Sequence, residues 1–175
     1  YTKAAEQNNM NAQYNLGVMY DRGEGVEKDQ AQAIHWYTKA AEQDNLSAQV
    51  NLGNLYLLEE DWGPSAHWFA KAASQGDWYA QTELGFLYRE GDGVEKDLVQ
   101  AAHWFDKAAE QGSFDAQLTL GEMYERGEGV EKDLAQARNW VTKAIQNNDT
   151  WRSRNRKQAE ELLARVSRAA EASAA

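Results

Sequence analysis

Ala12, Leu16 and Tyr20 stand at i, i+4 and i+8 of the stretch AQYNLGVMY, and AQVNLGNLY, AQTELGFLY and AQLTLGEMY repeat that spacing further along the chain. Apolar residues four apart share one helical face, so each stretch predicts an amphipathic helix. A second periodic run follows each of them. From Asp97, DLVQAAHWFDKAAEQG places Ala101, Trp104, Phe105 and Ala108 on one face and closes at Gly112. Asp29, Asp61, Asp97 and Asp133 head these second runs as N-caps, whose carboxylates accept otherwise orphaned backbone N–H groups. In the first runs each Leu is followed by Gly. A mid-helix Gly costs about 1 kcal/mol against Ala, so its recurrence predicts close approach by a second helix.

The runs recur in register. Trp36, Trp68, Trp104 and Trp140 are separated by 32, 36 and 36 residues, and Gly17, Gly53, Gly85 and Gly121 keep the same spacing. So do the Lys39, Lys71, Lys107 and Lys143 column and the Ala12, Ala48, Ala80 and Ala116 column. A fixed period of this length marks a repeat array of helix pairs. The glycine-rich octapeptide RGEGVEKD, at Arg22 and again at Arg126, follows one predicted helix and precedes another. A phosphate-cradling loop needs a preceding strand, and the pattern contains none, so the octapeptide reads as a connector. Gly23 ends the first helix with positive φ, and Asp29 caps the next.

The composite pattern AQxxLGxxYxxGxGVxKDxxxAxxWxxKAAEQG resembles the Sel1-like repeat, a relative of the tetratricopeptide repeat, over residues 1 to about 148. The resemblance implies an all-α, right-handed α/α superhelical solenoid of helix-turn-helix repeats. It implies a protein–protein interaction module (scaffold, adaptor or inhibitor), often bacterial. Some bacterial immunity proteins that neutralise secreted effectors carry such repeats, which makes immunity a narrower expectation. The expected organisation is one solenoid domain: a half repeat at 1–9, repeats at 10–45, 46–77, 78–113 and 114–149, and a C-terminal capping helix within 150–175.

The repeats are not uniform. The second lacks four residues, with LLEE between Tyr56 and Asp61 in place of the glycine connector, and Trp62 and Pro64 follow. YTKAAEQNNMNAQ at Tyr1 matches YTKAAEQDNLSAQ at Tyr37, so the chain opens inside a second helix with Tyr rather than Met. This reads as a trimmed N-terminus, with an aromatic residue expected upstream and either periplasm or cytoplasm as the compartment. After Asn148 the register breaks, and Ala159, Leu162, Leu163 and Val166 form the apolar face expected of a terminal cap.

Composition narrows the function. The net charge is −10, with +3 carried by residues 150–175 and −13 by the remainder. An acidic surface repels phosphate backbones, which disfavours nucleic acid. No apolar run approaches the roughly 20 residues of a membrane span, and the absence of Cys rules out disulfides and thiolate–metal sites. No cofactor is expected, and the chain is expected to be a monomer.

Candidate chemistry yields no catalytic or metal site. His35, His67 and His103 occur one per repeat, about 10 Å apart by helix spacing, too far for one metal with ligand bonds near ~2 Å. Glu59, Glu60 and Asp61 form the densest acidic run and are expected to be solvated, with Asp61 capping. The repeat tryptophans and Trp78 are expected in the core, whereas Trp62 is either packed or an exposed hot spot. The basic cluster Arg152, Arg154, Arg156 and Lys157 could touch phosphate or lipid headgroups, but is expected instead on the solvated face of the cap or as a docking patch for an acidic partner. An enzyme or small-ligand protein with a site in the concavity is disfavoured, because no convergent polar constellation survives. The tetratricopeptide-like arrangement implies that first helices line a concave groove. The groove columns are then Tyr14, Val18 and Asp21; Val50, Asn54 and Leu57; Tyr79, Thr82, Phe86 and Arg89; and Leu118, Glu122 and Glu125. An apolar stripe turning acidic suits a protein or peptide partner with apolar anchors and a basic segment.

Overall fold

A computed structural model of the chain describes residues 2–146 and 153–174, and every regular element among them is an α-helix. In order these are α1 (Thr2–Glu6), α2 (Met10–Arg22), α3 (Gln30–Ala41), α4 (Leu46–Leu58), α5 (Trp62–Ser74), α6 (Trp78–Glu90), α7 (Leu98–Glu110), α8 (Phe114–Arg126), α9 (Leu134–Gln146) and α10 (Ser153–Ala174). The fold is an all-α solenoid of helix pairs. It forms two compact units, Tyr1–Ala80 and Gln81–Ala175, divided within α6. In the first unit α2 packs on α3, α3 on α4 and α4 on α5; in the second, α7 packs on α8, α8 on α9 and α9 on α10.

The glycine column is where paired helices touch. A Cβ at Gly17 would lie 2.5 Å from the Tyr37 ring, at Gly53 2.6 Å from Phe69, at Gly85 2.7 Å from Phe105 and at Gly121 2.6 Å from Val141. The residue after each repeat Trp thus lies flat against the missing side chain. Trp36, Trp68 and Trp140 are buried one position earlier. The lysine column then has a physical cause. Lys39, Lys71, Lys107 and Lys143 hold Nζ 4.9, 5.0, 5.2 and 4.0 Å from the centroid of the Trp three residues before, in cation–π contact. His35, His67 and His103 are exposed and stand edge-on to the same rings at 5.0, 5.0 and 5.2 Å.

A glutamine ladder ties successive helices together. Gln13, Gln49 and Gln117 are buried and donate through Nε2 to the carbonyls of Ala5, Ala41 and Ala109. The Oε1 atoms of Gln13, Gln49 and Gln81 accept from Gln43, Gln75 and Gln111 at 2.6, 2.7 and 2.8 Å. Gln117 Oε1 has no partner among the described residues. The residue one period beyond Gln111 is Asn147, outside them.

The connectors close alike. The N–H groups of Asp29, Asp97 and Asp133 donate to the Tyr20, Tyr88 and Tyr124 carbonyls at 2.9, 2.9 and 3.0 Å, and Asp61 N–H donates to the Tyr56 carbonyl at 3.0 Å despite the four missing residues. In the short connector the left-handed residue is Glu60, with φ 57°. Capping departs from expectation here. Asp29, Asp97 and Asp133 accept first-turn N–H groups. Asp61 makes no side-chain cap bond, and its backbone (φ −88°, ψ 75°) departs from the extended conformation of Asp29 and Asp97. Within the core column Trp104 is only half-buried, and two tryptophans outside the column are also not fully buried. Trp62 is half-buried, and Trp78, at the start of α6, is 49% exposed and edge-on to Tyr79 rather than in the core.

Helix α10 covers the last pair. Ala159, Leu162 and Val166 are fully buried against Leu118, Ala137 and Val141, with Leu163 partly buried. Its outward face is less basic than the residue count suggests. Arg156 pairs with Glu160 at 3.0 Å and Lys157 with Glu161 at 3.7 Å, each one helical turn on. Arg152 and the Arg154 side chain lie outside the described residues.

Candidate partner-binding faces

In the first unit, α2 presents Tyr14, Val18 and Asp21, and α4 presents Val50, Asn54 and Leu57, all half-buried. They sit on the face opposite Leu16 and Leu52, which the fold buries. The Tyr14 ring leans on Tyr37 with centroids 5.8 Å apart. Tyr37 donates to Asp21 Oδ2 at 3.5 Å, and burial, the largest influence, pushes its phenol far above the ordinary range. Tyr79, in the first turn of α6, donates to Asn54 Oδ1 at 2.7 Å and stands edge-on to Phe69 at 6.1 Å. Asp21, Asn54 and Tyr79 are therefore held in place by the fold and Val18 packs on the cluster around Tyr37 and Leu52, while Val50 and Leu57 offer apolar surface.

In the second unit the predicted columns separate. Phe86 is half-buried, edge-on to Phe105 at 5.0 Å, and Arg89 lies over its ring at 5.0 Å while pairing with Glu90 at 2.8 Å. Thr82 is only 4% exposed, its hydroxyl sharing a hydrogen bond with Ser113 at 3.0 Å. Leu118 is 6% exposed and belongs to the apolar cluster under α10. These two side chains face neighbouring helices rather than solvent. Glu122 is half-buried and lines an open, polar cavity of about 370 Å³ with Arg89, Lys96, Arg126 and Glu128. Glu125 is occupied within the chain. Arg165 of α10 grips both its oxygens at 2.6 Å, and that guanidinium holds the carboxyl below the usual range. Glu125 is thus already paired, and Glu122 stands among Arg89, Lys96 and Arg126 rather than in an acidic patch.

The described residues contain no group of three or more His, Asp or Glu placed to hold a metal ion, and no helix among them is long and apolar enough to cross a membrane. Periodicity pointed to the face, but the α10 grip was invisible to it. A basic residue on a cap helix carries no sequence signal of its partner 40 residues earlier.

A family model described as Sel1 repeat matches residues 11–45, 46–77, 78–113 and 114–149. Among solved structures, the chain is 43% identical to a protective antigen present in uropathogenic Escherichia coli strains and displaying an SLR fold, over 95% of this chain and 39% of that one, with a TM-score of 0.71. It is 34% identical to a Sel1 repeat protein from Oxalobacter formigenes, over 86% of this chain and 63% of that one, with a TM-score of 0.77. It is 28% identical to Helicobacter pylori cysteine rich protein B, over 73% of this chain and 94% of that one, with a TM-score of 0.53. The chain spans less than two thirds of the length of the first two relatives. No curated protein matches it. Four matched repeats covering most of the chain, on a fold shared with these structures, place it in the Sel1 repeat family.

Proposed function

We propose that the chain binds a partner protein or peptide through the exposed face of its first helices, in the manner of a scaffold, adaptor or inhibitor. Sel1 repeats are in general protein-interaction modules, and members of the family are generally non-enzymatic scaffolds. The observation that carries the reading is the apolar surface of the first unit. Tyr14, Val18, Val50 and Leu57 remain only half-buried on α2 and α4, in columns that vary between repeats while the packing columns do not. Large apolar side chains on a merely solvated face gain nothing from burial, whereas a partner helix or extended segment would cover them. Immunity to a secreted enzyme, the narrower reading, would use the same face.

The test starts from the partner recovered by affinity capture with the intact chain. Val50 and Leu57 are the residues to change, because Tyr14 and Val18 pack on the core cluster and Tyr79 and Phe86 support the fold through Asn54, Phe69 and Phe105. Val50→Ala combined with Leu57→Ala should weaken binding about tenfold or more, the scale of lost interface anchors, with helicity intact. Unchanged affinity, or a complex seated on the Trp-bearing second helices, would sink the reading.

A further inference from the structure

The connector of the second repeat differs from the others in charge as well as length. RGEGVEKD carries Arg22 and Lys28 among Glu24, Glu27 and Asp29, and the third and fourth connectors carry Lys96 and Lys132 in the same place. The shortened connector keeps only acids, Glu59, Glu60 and Asp61. No Lys or Arg occurs between Lys39 and Lys71, a stretch that also holds Glu42 and Asp44. Among the described residues no ion pair reaches the three connector carboxylates. Glu59 accepts only from the neutral amide of Gln30, at 2.8 Å, and Asp61 caps nothing.

The same three residues are flanked by two apolar side chains, the first of which has no apolar counterpart in the other repeats. Leu58 ends α4 and is 80% exposed, where the other repeats place Arg22, Glu90 and Arg126. Trp62 opens α5, half-buried, where the others place Gln30, Leu98 and Leu134. A single exposed Leu is ordinary. One that replaces a charged residue beside three uncompensated carboxylates, with a Trp on their far side, is a specific pattern. The backbone beneath is well held, with Glu59 and Glu60 N–H groups on the Leu55 and Leu57 carbonyls at 3.3 and 3.2 Å.

We propose that this short connector is a second docking surface, which takes a protein segment bearing a large apolar side chain flanked by lysine or arginine. The apolar group would cover Leu58, and its neighbouring cations would relieve the mutual repulsion of Glu59, Glu60 and Asp61. Charge complementarity selects this occupant. Nucleic acid and anionic membrane surfaces carry the sign of the connector itself and are repelled. The surface is distinct from the face of α2 and α4, since Leu58 and the connector lie outside the columns of Val18 and Val50.

The experiment titrates the isotope-labelled full chain with a synthetic peptide, Lys-Lys-Leu-Leu-Lys-Lys, and follows backbone NMR shifts, with a Glu-for-Lys peptide as control. Shifts should concentrate at residues 58–63 and should be absent with the control. Leu58→Gln should weaken the peptide about tenfold, the effect of a moderate anchor. Glu59→Gln with Glu60→Gln should do likewise and flatten the dependence on salt. All three positions are exposed, so circular dichroism should be unchanged. Undiminished binding by Leu58→Gln, shifts spread over acidic residues of both units, shifts centred on Val18 and Val50, or equal binding of the acidic peptide would each overturn the proposal.

Discussion

A methyl group at Gly129 would run into the Leu98 carbonyl, whereas one at Gly25 would meet only the Met19 methyl at 3.6 Å. Both glycines have positive φ, 70° and 76°, so Ala at either pays about 1–2 kcal/mol of left-handed strain. Gly25→Ala should lose about that much in a urea titration. Gly129→Ala should lose at least about 1 kcal/mol more, since its fourth-repeat connector must also part from the start of α7. Equal losses would show that the connector can shift freely. Asp106 is a second residue with a readable cost. It takes the place of Thr38 and Thr142, whose hydroxyls donate to the Ile34 and Arg138 carbonyls at 2.7 Å. Burial, then Glu110, raise the Asp106 carboxyl above its ordinary range. A raised folded value means the folded state binds the proton more tightly than the unfolded chain. The carboxyl therefore weakens the fold at neutral pH, and the penalty fades as pH falls through the raised folded value and is gone below the unfolded value near ~4. Asp106→Thr should raise the melting temperature at pH 7, with the gain shrinking in acid. A gain independent of pH would assign the effect to packing alone.

Among elements, α10 has the clearest consequence. It is the only described helix outside the four matched repeats at the C-terminal side, and its Ala159, Leu162 and Val166 close the apolar cluster of Leu118, Ala137 and Val141. Removing residues 153–175 would uncover that cluster and release Glu125 from Arg165. The shortened chain should melt at lower temperature and self-associate, as seen by light scattering, because an uncapped repeat presents its stacking face to water. A monomer with unchanged melting would mean that α8 and α9 need no cover. Much of this element is legible beforehand, since the break in register after Asn148 and the apolar spacing both announce a cap. Its grip on Glu125 is not legible, because an ion pair 40 residues apart leaves no local pattern.

At the scale of the molecule, one small set of contacts is used again and again. Glycine lies against the ring or branched side chain after Trp, lysine over Trp, and glutamine between successive helices. Each contact joins neighbours in the chain, so stability accumulates repeat by repeat and folding needs little long-range search. Charge is distributed less evenly. The chain carries −10 overall, and its second repeat has no basic residue between Lys39 and Lys71. An array built from nearly identical units becomes specific where a unit breaks its own rule, and the short connector breaks it in length, charge and apolar exposure together.

The chain's own periodicity determines helix number, register and pairing. These depend on residues three, four or thirty-six positions apart, and the recurring Ala, Leu, Gly and Trp columns record them directly. The connector's nature follows as well, since Gly23 and Asp29 act through their own backbones and first-turn neighbours. Tertiary structure alone decided which groove candidates remain open. Thr82 and Leu118 share columns with Tyr14 and Val50, yet Ser113 and α10 cover them while Tyr14 and Val50 stay half-exposed. Glu125 likewise reads as a free acid until Arg165 is brought beside it, and Asp61 reads as a cap until the shortened turn takes its backbone out of the extended conformation. A residue's periodic position sets which way it points, whereas the neighbouring element sets whether anything is already there.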